Sequence, residues 1–299
     1  MKDINKGVYI ALITPFNEDE SIDFKSLDKL INLMNKNKVD GLFVNGTTAE
    51  FPHLFFDERI ELVKFIVKRF SGSIIVNVSD SSTEKVLKNI NCLKEIDGIS
   101  AVSTLIPYLY KISQDQILNF YRMISRNSYF PVFVYNNPAI TNGNIEVDSM
   151  KEILKFENIA GIKDSSKNGP WYESIKPFIK EKIYLSGGDG EIINYLINGS
   201  KGTISTIGNI IPGTVKKIYD SFKDNSIEMS ERYQEDTKEI RKISKNFTNV
   251  SGIKAMLECF GITKRYMRFP LTSVSDNEIQ QIKNEIQKEG IKKIINLNL

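Results

Sequence analysis

Ile159-Ala160-Gly161-Ile162-Lys163-Asp164-Ser165 places three apolar side chains ahead of a single ammonium, and a polar turn follows it. An apolar run of this length reads as a fully buried strand. A lysine at its end is costly to keep charged, because desolvation disfavours the ammonium and lowers its pKa. An amine of that kind is a nucleophile able to form a Schiff base with a ketone. Taken alone, the same residues also read as a lysine whose head snorkels out of a strand end into water. The remainder of the chain decides between the two.

Similar apolar, β-branched runs recur on both sides of this stretch, at Val8–Thr14, Gly41–Asn45, Ser73–Val78, Ile99–Leu105, Pro131–Tyr135, Ile183–Ser186 and Thr203–Ile207. Between them lie amphipathic segments with apolar residues three and four apart, such as Leu27, Leu30, Ile31 and Met34. Ser113 before Asp115, and Asp57 before Glu58, read as helix-capping signals. Eight strand–helix units in about 220 residues are what a closed parallel barrel requires, so the expected fold class is α/β, a (β/α)8 TIM barrel. An open doubly wound sheet is weakened by the lack of a G-x-G-x-x-G turn after the first strand. From about Asn225 onward only helical patterns occur, and no Gly/Ser/Pro-rich linker precedes them. Residues 1–224 are therefore read as the catalytic barrel and 225–299 as a C-terminal helical extension packed on it.

Composition narrows the chemistry. The net charge of +3 comes from 40 basic and 37 acidic residues that are interspersed, which argues against a nucleic-acid partner. No run reaches the roughly 18 consecutive apolar residues of a membrane span, so no membrane partner is expected. Val8–Phe16 is short, contains Pro15 and lacks a small-residue cleavage site, so it does not read as a signal peptide. Cys92 and Cys259 have no C-x-x-C spacing and read as buried thiols of a cytoplasmic protein. The single histidine, His53, excludes zinc sites built on several imidazoles, and no metal is expected. No G-x-S-x-G elbow accompanies it. An enzyme of this composition must draw its nucleophile and acid–base groups from Lys, Tyr, Ser, Thr, Asp and Glu.

In such a barrel the site lies at the C-terminal ends of the strands. The second strand ends in Asn45-Gly46-Thr47-Thr48-Ala49-Glu50, which offers two hydroxyls and backbone donors to a carboxylate, although a capped turn explains it as well. The fifth strand ends in Tyr135-Asn136-Asn137-Pro138. Neighbouring strands lie about 5 Å apart, which brings Tyr135 within reach of Lys163 as a proton shuttle.

Gly46-Thr47-Thr48-Ala49-Glu50, Tyr135-Asn136-Asn137-Pro138 and Gly161-Ile162-Lys163-Asp164, in this order, resemble the dihydrodipicolinate synthase/N-acetylneuraminate lyase family of class I aldolases. Ala11-Leu12-Ile13-Thr14-Pro15-Phe16, Ser186-Gly187-Gly188-Asp189 and Gly252-Ile253-Lys254-Ala255 are similar to the same family, so the match runs through nearly the whole chain. The resemblance implies a homotetrameric barrel that joins pyruvate to Lys163 as a Schiff base and needs no cofactor. It implies proton transfer by Tyr135, a pyruvate carboxylate held by Thr47 and Thr48, and further substrate contacts from Asn137, Ser165, Asp189, Ile204 and Thr206. The partners implied are a 2-oxo acid and an aldehyde.

Departures from the pattern bear on the aldehyde. Dihydrodipicolinate synthases carry an arginine where this chain has Ile140, and a tyrosine where it has Leu109. Sialic acid lyases carry an acidic residue where it has Gly190. Lys163-Asp164-Ser165 and Phe51-Pro52 look more like 2-keto-3-deoxygluconate aldolases, with Thr141, Ser165, Asp189, Ser205 and Thr206 offering polar contacts to a sugar-acid aldehyde such as glyceraldehyde. Cleavage or formation of a 2-keto-3-deoxy sugar acid is therefore the first expectation. N-acetylneuraminate lyase or dihydrodipicolinate synthase chemistry is the alternative, followed by a non-catalytic pyruvate-binding barrel. Ala49 stands where the family has glycine, and a β-carbon there is expected to restrict a left-handed turn. Glu50 is read as structural, His53 as a loop residue near a subunit contact, and Trp171 as packing over the site.

Overall fold

The computed structural model describes residues 2–166, 168–247 and 250–298. Eight parallel strands are hydrogen-bonded in chain order, and the eighth pairs with the first to close a barrel. They are β1 (Gly7–Ala11), β2 (Gly41–Val44), β3 (Ser73–Asn77), β4 (Ala101–Leu105), β5 (Val132–Asn136), β6 (Ile159–Asp164), β7 (Ile183–Ser186) and β8 (Gly202–Ser205). The helices that return the chain are α1 (Phe24–Lys36), α2 (Phe56–Val67), α3 (Thr83–Cys92), α4 (Gln114–Asn127), α5 (Val147–Ile153), α6 (Gly169–Ile179), α7 (Ile192–Ile197) and α8 (Pro212–Lys223). Four more follow: α9 (Ile227–Lys245), α10 (Ser251–Cys259), α11 (Asp276–Ile286) and α12 (Glu289–Asn296). The (β/α)8 expectation is met. None of the described helices is long and apolar enough to cross a membrane.

The strands alternate between two apolar layers, because successive side chains point to opposite faces. Val8, Val44, Val76, Val102, Val134 and Ile162 belong to the large core under the helices. Tyr9, Phe43, Ile75, Ala101, Phe133, Tyr135, Leu185 and Ile204 fill the barrel interior. Ile162 faces outward, so the period of two turns Gly161 and Lys163 inward. Gly161 makes room there. A β-carbon on it would come within 2.6 Å of the Phe133 ring and 2.1 Å of the Ile183 carbonyl oxygen on the next strand.

Ser113 caps α4 as expected, with its hydroxyl accepting from the Gln116 N–H while Gln116 returns a 2.8 Å bond to the Ser113 N–H. Asp57 does not start α2. The Glu58 carboxylate reaches back to the N–H of Phe55 at 2.8 Å, which sets the cap two residues earlier and leaves Asp57 inside the first turn. Cys92 is exposed, contrary to expectation, because it closes α3 off the face that buries Val86, Asn89 and Ile90.

The C-terminal helices reach back to the barrel mouth at two places. Gln234 on α9 donates to the Asp189 carbonyl at 2.9 Å and accepts from the Ile193 N–H. Lys254 on α10 pairs with Glu50 after β2. The side chain meant to bear the chemistry stands two residues beyond Gly161, so the barrel's tolerance at that glycine is testable. Gly161→Ala must push β6 from β7 and is expected to cost about 2–3 kcal/mol or more, read as a lower denaturation midpoint. A midpoint like that of the parent would show that the strand gap is wider than described.

Candidate active site

Tyr135 and Lys163 are direct register partners on β5 and β6. Lys163 is only 4% exposed. Its Nζ lies 3.8 Å from the centre of the Tyr135 ring and 4.0 Å from that of Phe43. Burial pushes the Lys163 ammonium below its ordinary range, and the Tyr135 side chain opposes that shift. For Tyr135, burial would raise the phenol, but the Lys163 charge and hydrogen bonds from Thr47, Lys163 and Asn137 outweigh it and bring it below 10.0. The pair thus competes for a proton at a pH lower than either group would show in water. The phenol oxygen is 2.8 Å from Thr47 Oγ1 and accepts from Asn137 Nδ2 at 3.2 Å.

Thr47 and Thr48 open a 3-10 turn, Thr47–Ala49, at the end of β2. Thr48 Oγ1 lies 3.2 Å from Thr206 Oγ1 beyond β8, which ties the second strand's loop to the eighth. Among the described residues no acceptor takes the backbone N–H of Thr47 or Thr48. Two amides and two hydroxyls in succession make a turn suited to a carboxylate. Ala49 lies in right-handed backbone, so its β-carbon costs nothing, contrary to expectation. The left-handed residues are Asn45 (φ 56) and Glu50 (φ 58). Asn accepts that conformation readily, whereas a glutamate there stores on the order of 1–3 kcal/mol of strain.

Asp189 closes the opposite side. It accepts from Ser205 Oγ at 2.6 Å and from the N–H groups of Thr206 and Ile207 at 3.3 and 3.1 Å. Burial raises its carboxyl, against these bonds and the nearby Arg241 charge. Ile204 is buried in the barrel interior. Ser165 is half-buried, its N–H bonded to the Asn136 carbonyl at 2.8 Å and its hydroxyl lying against Gly187. Lys163, Tyr135, Thr47 and Asn137 form one set of side-chain contacts, Thr48, Thr206 and Asp189 a second joined in part through the Thr206 N–H, and adjacent Thr47 and Thr48 bring the two sets to one mouth, with Ser165 at its edge.

Three expected placements are corrected. Thr141 is buried and gives its hydroxyl to the Asn137 and Gly143 carbonyls, which leaves none for a substrate. The Ser205 hydroxyl is spent on Asp189 and on the Gly208 N–H. Trp171 packs in the outer core, with Nε1 donating to the Ile145 carbonyl at 2.8 Å, and does not cover the site. His53 lies in a short turn, Phe51–His53, where its carbonyl accepts from Arg268.

Other residues escaped the sequence reading. Phe43 supplies an aromatic face to Lys163, and the inward period of β2 was the signal that could have found it. Asp164 faces away from Lys163 and accepts from Asn136, Ser166 and Tyr184. Arg241 on α9 brings a guanidinium nitrogen within 3.3 Å of where a β-carbon on Gly190 would stand. Among the described residues it has no ion-pair partner within bonding distance. No pattern in its amphipathic helix marked it. Among the described residues, no three of His, Cys, Asp and Glu gather where they could hold a metal ion.

Comparison with known proteins gives a family and a shared fold. The Dihydrodipicolinate synthetase family matches residues 5–289. The 4-hydroxy-tetrahydrodipicolinate synthase of Karelsulcia muelleri is 34% identical over 277 residues, 91% of this chain and 93% of that protein. The enzyme of the same name from Parabacteroides distasonis is 30% identical and covers 98% of this chain and 100% of its own. The crystal structure of dihydrodipicolinate synthase from Thermotoga maritima superposes with a TM-score of 0.90 at 27% identity, covering 96% of this chain and 99% of that one.

The lowered lysine makes a pH prediction. Reductive trapping of a 2-oxo acid on Lys163 should rise with pH as the ammonium loses its proton, and reach half its limit below the ordinary lysine value of 10.5. Adduct mass measured across pH would check this, and a midpoint at or above 10.5 would contradict it.

Proposed function

We propose a function from one fact: the chain belongs to the dihydrodipicolinate synthetase family. Enzymes of this family join pyruvate to a lysine as a Schiff base and need no further cofactor. In the proposed reaction the Lys163 amine attacks the pyruvate carbonyl, and Tyr135 gives the proton with which the carbinolamine oxygen leaves as water. The resulting iminium draws electrons from C3, whose proton is lost to leave an enamine. The enamine carbon attacks the aldehyde carbon, the aldehyde oxygen takes a proton, and water then hydrolyses the imine to free the product. Thr47 and Thr48 hold the pyruvate carboxylate throughout. The observation that carries this reading is the buried Lys163 nitrogen in register with Tyr135, whose phenol is bonded to Thr47.

The second substrate is read as an aldehyde that bears an acidic group, as in the synthases that the chain resembles. Their names, synthases of 4-hydroxy-tetrahydrodipicolinate, support the synthase alternative and give no support to the first expectation, a 2-keto-3-deoxygluconate aldolase. The Arg241 guanidinium beside Asp189 and Gly190, without an ion pair at bonding distance among the described residues, supports the same choice, since a carboxylate or phosphate is its natural partner. It enters from α9, so the apolar Ile140 need not supply the cation. A sugar-acid aldolase remains the second reading, favoured by that apolar Ile140, 42% exposed. Leu109, Tyr110 and Ile140 are exposed apolar groups on loops after β4 and β5, which supports association between copies of the chain, the homotetramer included.

Lys163→Ala should abolish borohydride capture of pyruvate, and unchanged capture would defeat the assignment. Tyr135→Phe should keep capture but lower kcat by about 10²–10³-fold. Pyruvate should be offered with aspartate semialdehyde, glyceraldehyde, its 3-phosphate and N-acetylmannosamine. The acidic aldehydes should condense best, and Arg241→Ala should raise their KM about tenfold or more. Preference for neutral glyceraldehyde, indifferent to Arg241, would favour the second reading.

A further inference from the structure

Glu50 follows directly on the Thr47–Thr48 turn and holds a left-handed backbone, φ 58 and ψ 35. Its side chain is 1% exposed and meets Lys254, 0% exposed, at 2.5 Å. Lys254 comes from α10, more than 200 residues along the chain. Its Nζ also donates to the Tyr266 carbonyl at 2.9 Å and lies 4.2 Å from the centre of the Phe16 ring. The other carboxylate oxygen of Glu50 accepts from the Arg268 N–H at 3.2 Å. Arg268 is itself fixed, with its guanidinium on both oxygens of Glu58 at 2.6 and 2.8 Å and on the His53 carbonyl at 2.9 Å.

None of these groups reaches the barrel interior, yet they surround one end of the turn. On the other side Thr14 Oγ1 donates to the Ala49 carbonyl at 2.9 Å. A glutamate keeps a left-handed backbone only where its surroundings over-determine it. The surroundings here are the Lys254 ammonium and the Arg268 backbone N–H, both from the C-terminal helical region. Moving Glu50 to right-handed backbone would redirect the peptide planes before it, and the Thr47 and Thr48 amides with them.

We propose that Lys254 is a positioning residue for the pyruvate carboxylate, acting through Glu50 to fix the aim of the Thr47–Thr48 turn. The inference rests on the reading that this turn holds pyruvate. It assigns the C-terminal helices a part in substrate binding beyond that of covering the barrel.

The test uses the full chain and three proteins: the parent, Lys254→Met, and Lys254→Met combined with Glu50→Gln. Removing one partner leaves a buried charge unpaired and endangers the fold, whereas removing both charges is better tolerated. The double variant should melt near the parent and yet show a pyruvate KM raised about tenfold. Its kcat at saturation and its aldehyde KM should stay within about threefold, the signature of lost uniform binding. A folded double variant with the parental pyruvate KM would overturn the proposal. So would a proportionate fall in activity with both KM values unchanged, which reports only less folded protein. Failure of both variants to fold would make the pair a stability element and overturn it as well. Absence of a pyruvate adduct on the parent would instead sink the Schiff-base reading, and this inference with it.

Discussion

Removing one ammonium from water is the constraint on which the site depends. Lys163 Nζ sits between the faces of Phe43 and Tyr135, and its surroundings favour the neutral amine through burial while returning some stabilisation of charge through two aromatic rings. A lysine left in water would be protonated and inert. One buried without a phenol beside it would lack that partner for its proton. The barrel meets both needs because β5 and β6 bring the two side chains into register, and because the pleat turns Lys163 and Tyr135 inward while Ile162 and Val134 pack outward. Phe133 fills the barrel interior beside Gly161, where a larger residue would not fit.

How much of this was legible in the sequence follows from the range of each interaction. The eight strands and the inward lysine were readable because hydrophobic period is local and repeats along the chain. The turn at Thr47 and Thr48 and the phenol at Tyr135 were readable because barrels place their chemistry at strand ends. Thr141 and Ser205 were misjudged for a different reason. Both carry hydroxyls of the right kind, but nearby carbonyls, a carboxylate or an N–H consume them, and nothing in a residue's type reveals that. Ala49 was misjudged by one position, since the left-handed backbone falls on Glu50. Cys92 closes its helix off the buried face, a matter of a hundred degrees that boundary errors easily obscure.

Arg241 and Lys254 were beyond such reading altogether. Each lies in a helix of the C-terminal region and comes to the barrel mouth across a sequence separation that no local pattern encodes. Lys254 stood in a stretch that drew notice only as a resemblance, with no chemistry attached. Arg241 stands among the lysines and glutamates of α9, where its residue type carries no signal of its own. Charge on an exposed helix face is usually worth little, and only proximity to the half-buried Asp189 distinguishes this one.

The two contacts hold different loops of the mouth, after β2 and after β7. Lys254 and Arg268 grip the turn after β2, where the backbone donors for a carboxylate lie. Gln234 and Arg241 reach the β7 loop beside Asp189, where the proposed aldehyde would enter. The barrel already places the proposed nucleophile and proton shuttle on adjacent strands, so helices added outside it cannot improve that pair directly. They can fix the loops that define what binds. The placement of a cation on α9, with Ile140 apolar on the β5 loop, is what such an arrangement allows, because a helix packed against the mouth can present the same charge from another direction. Specificity for the second substrate can then change in the helical region while the amine, phenol and carboxylate turn stay as they are.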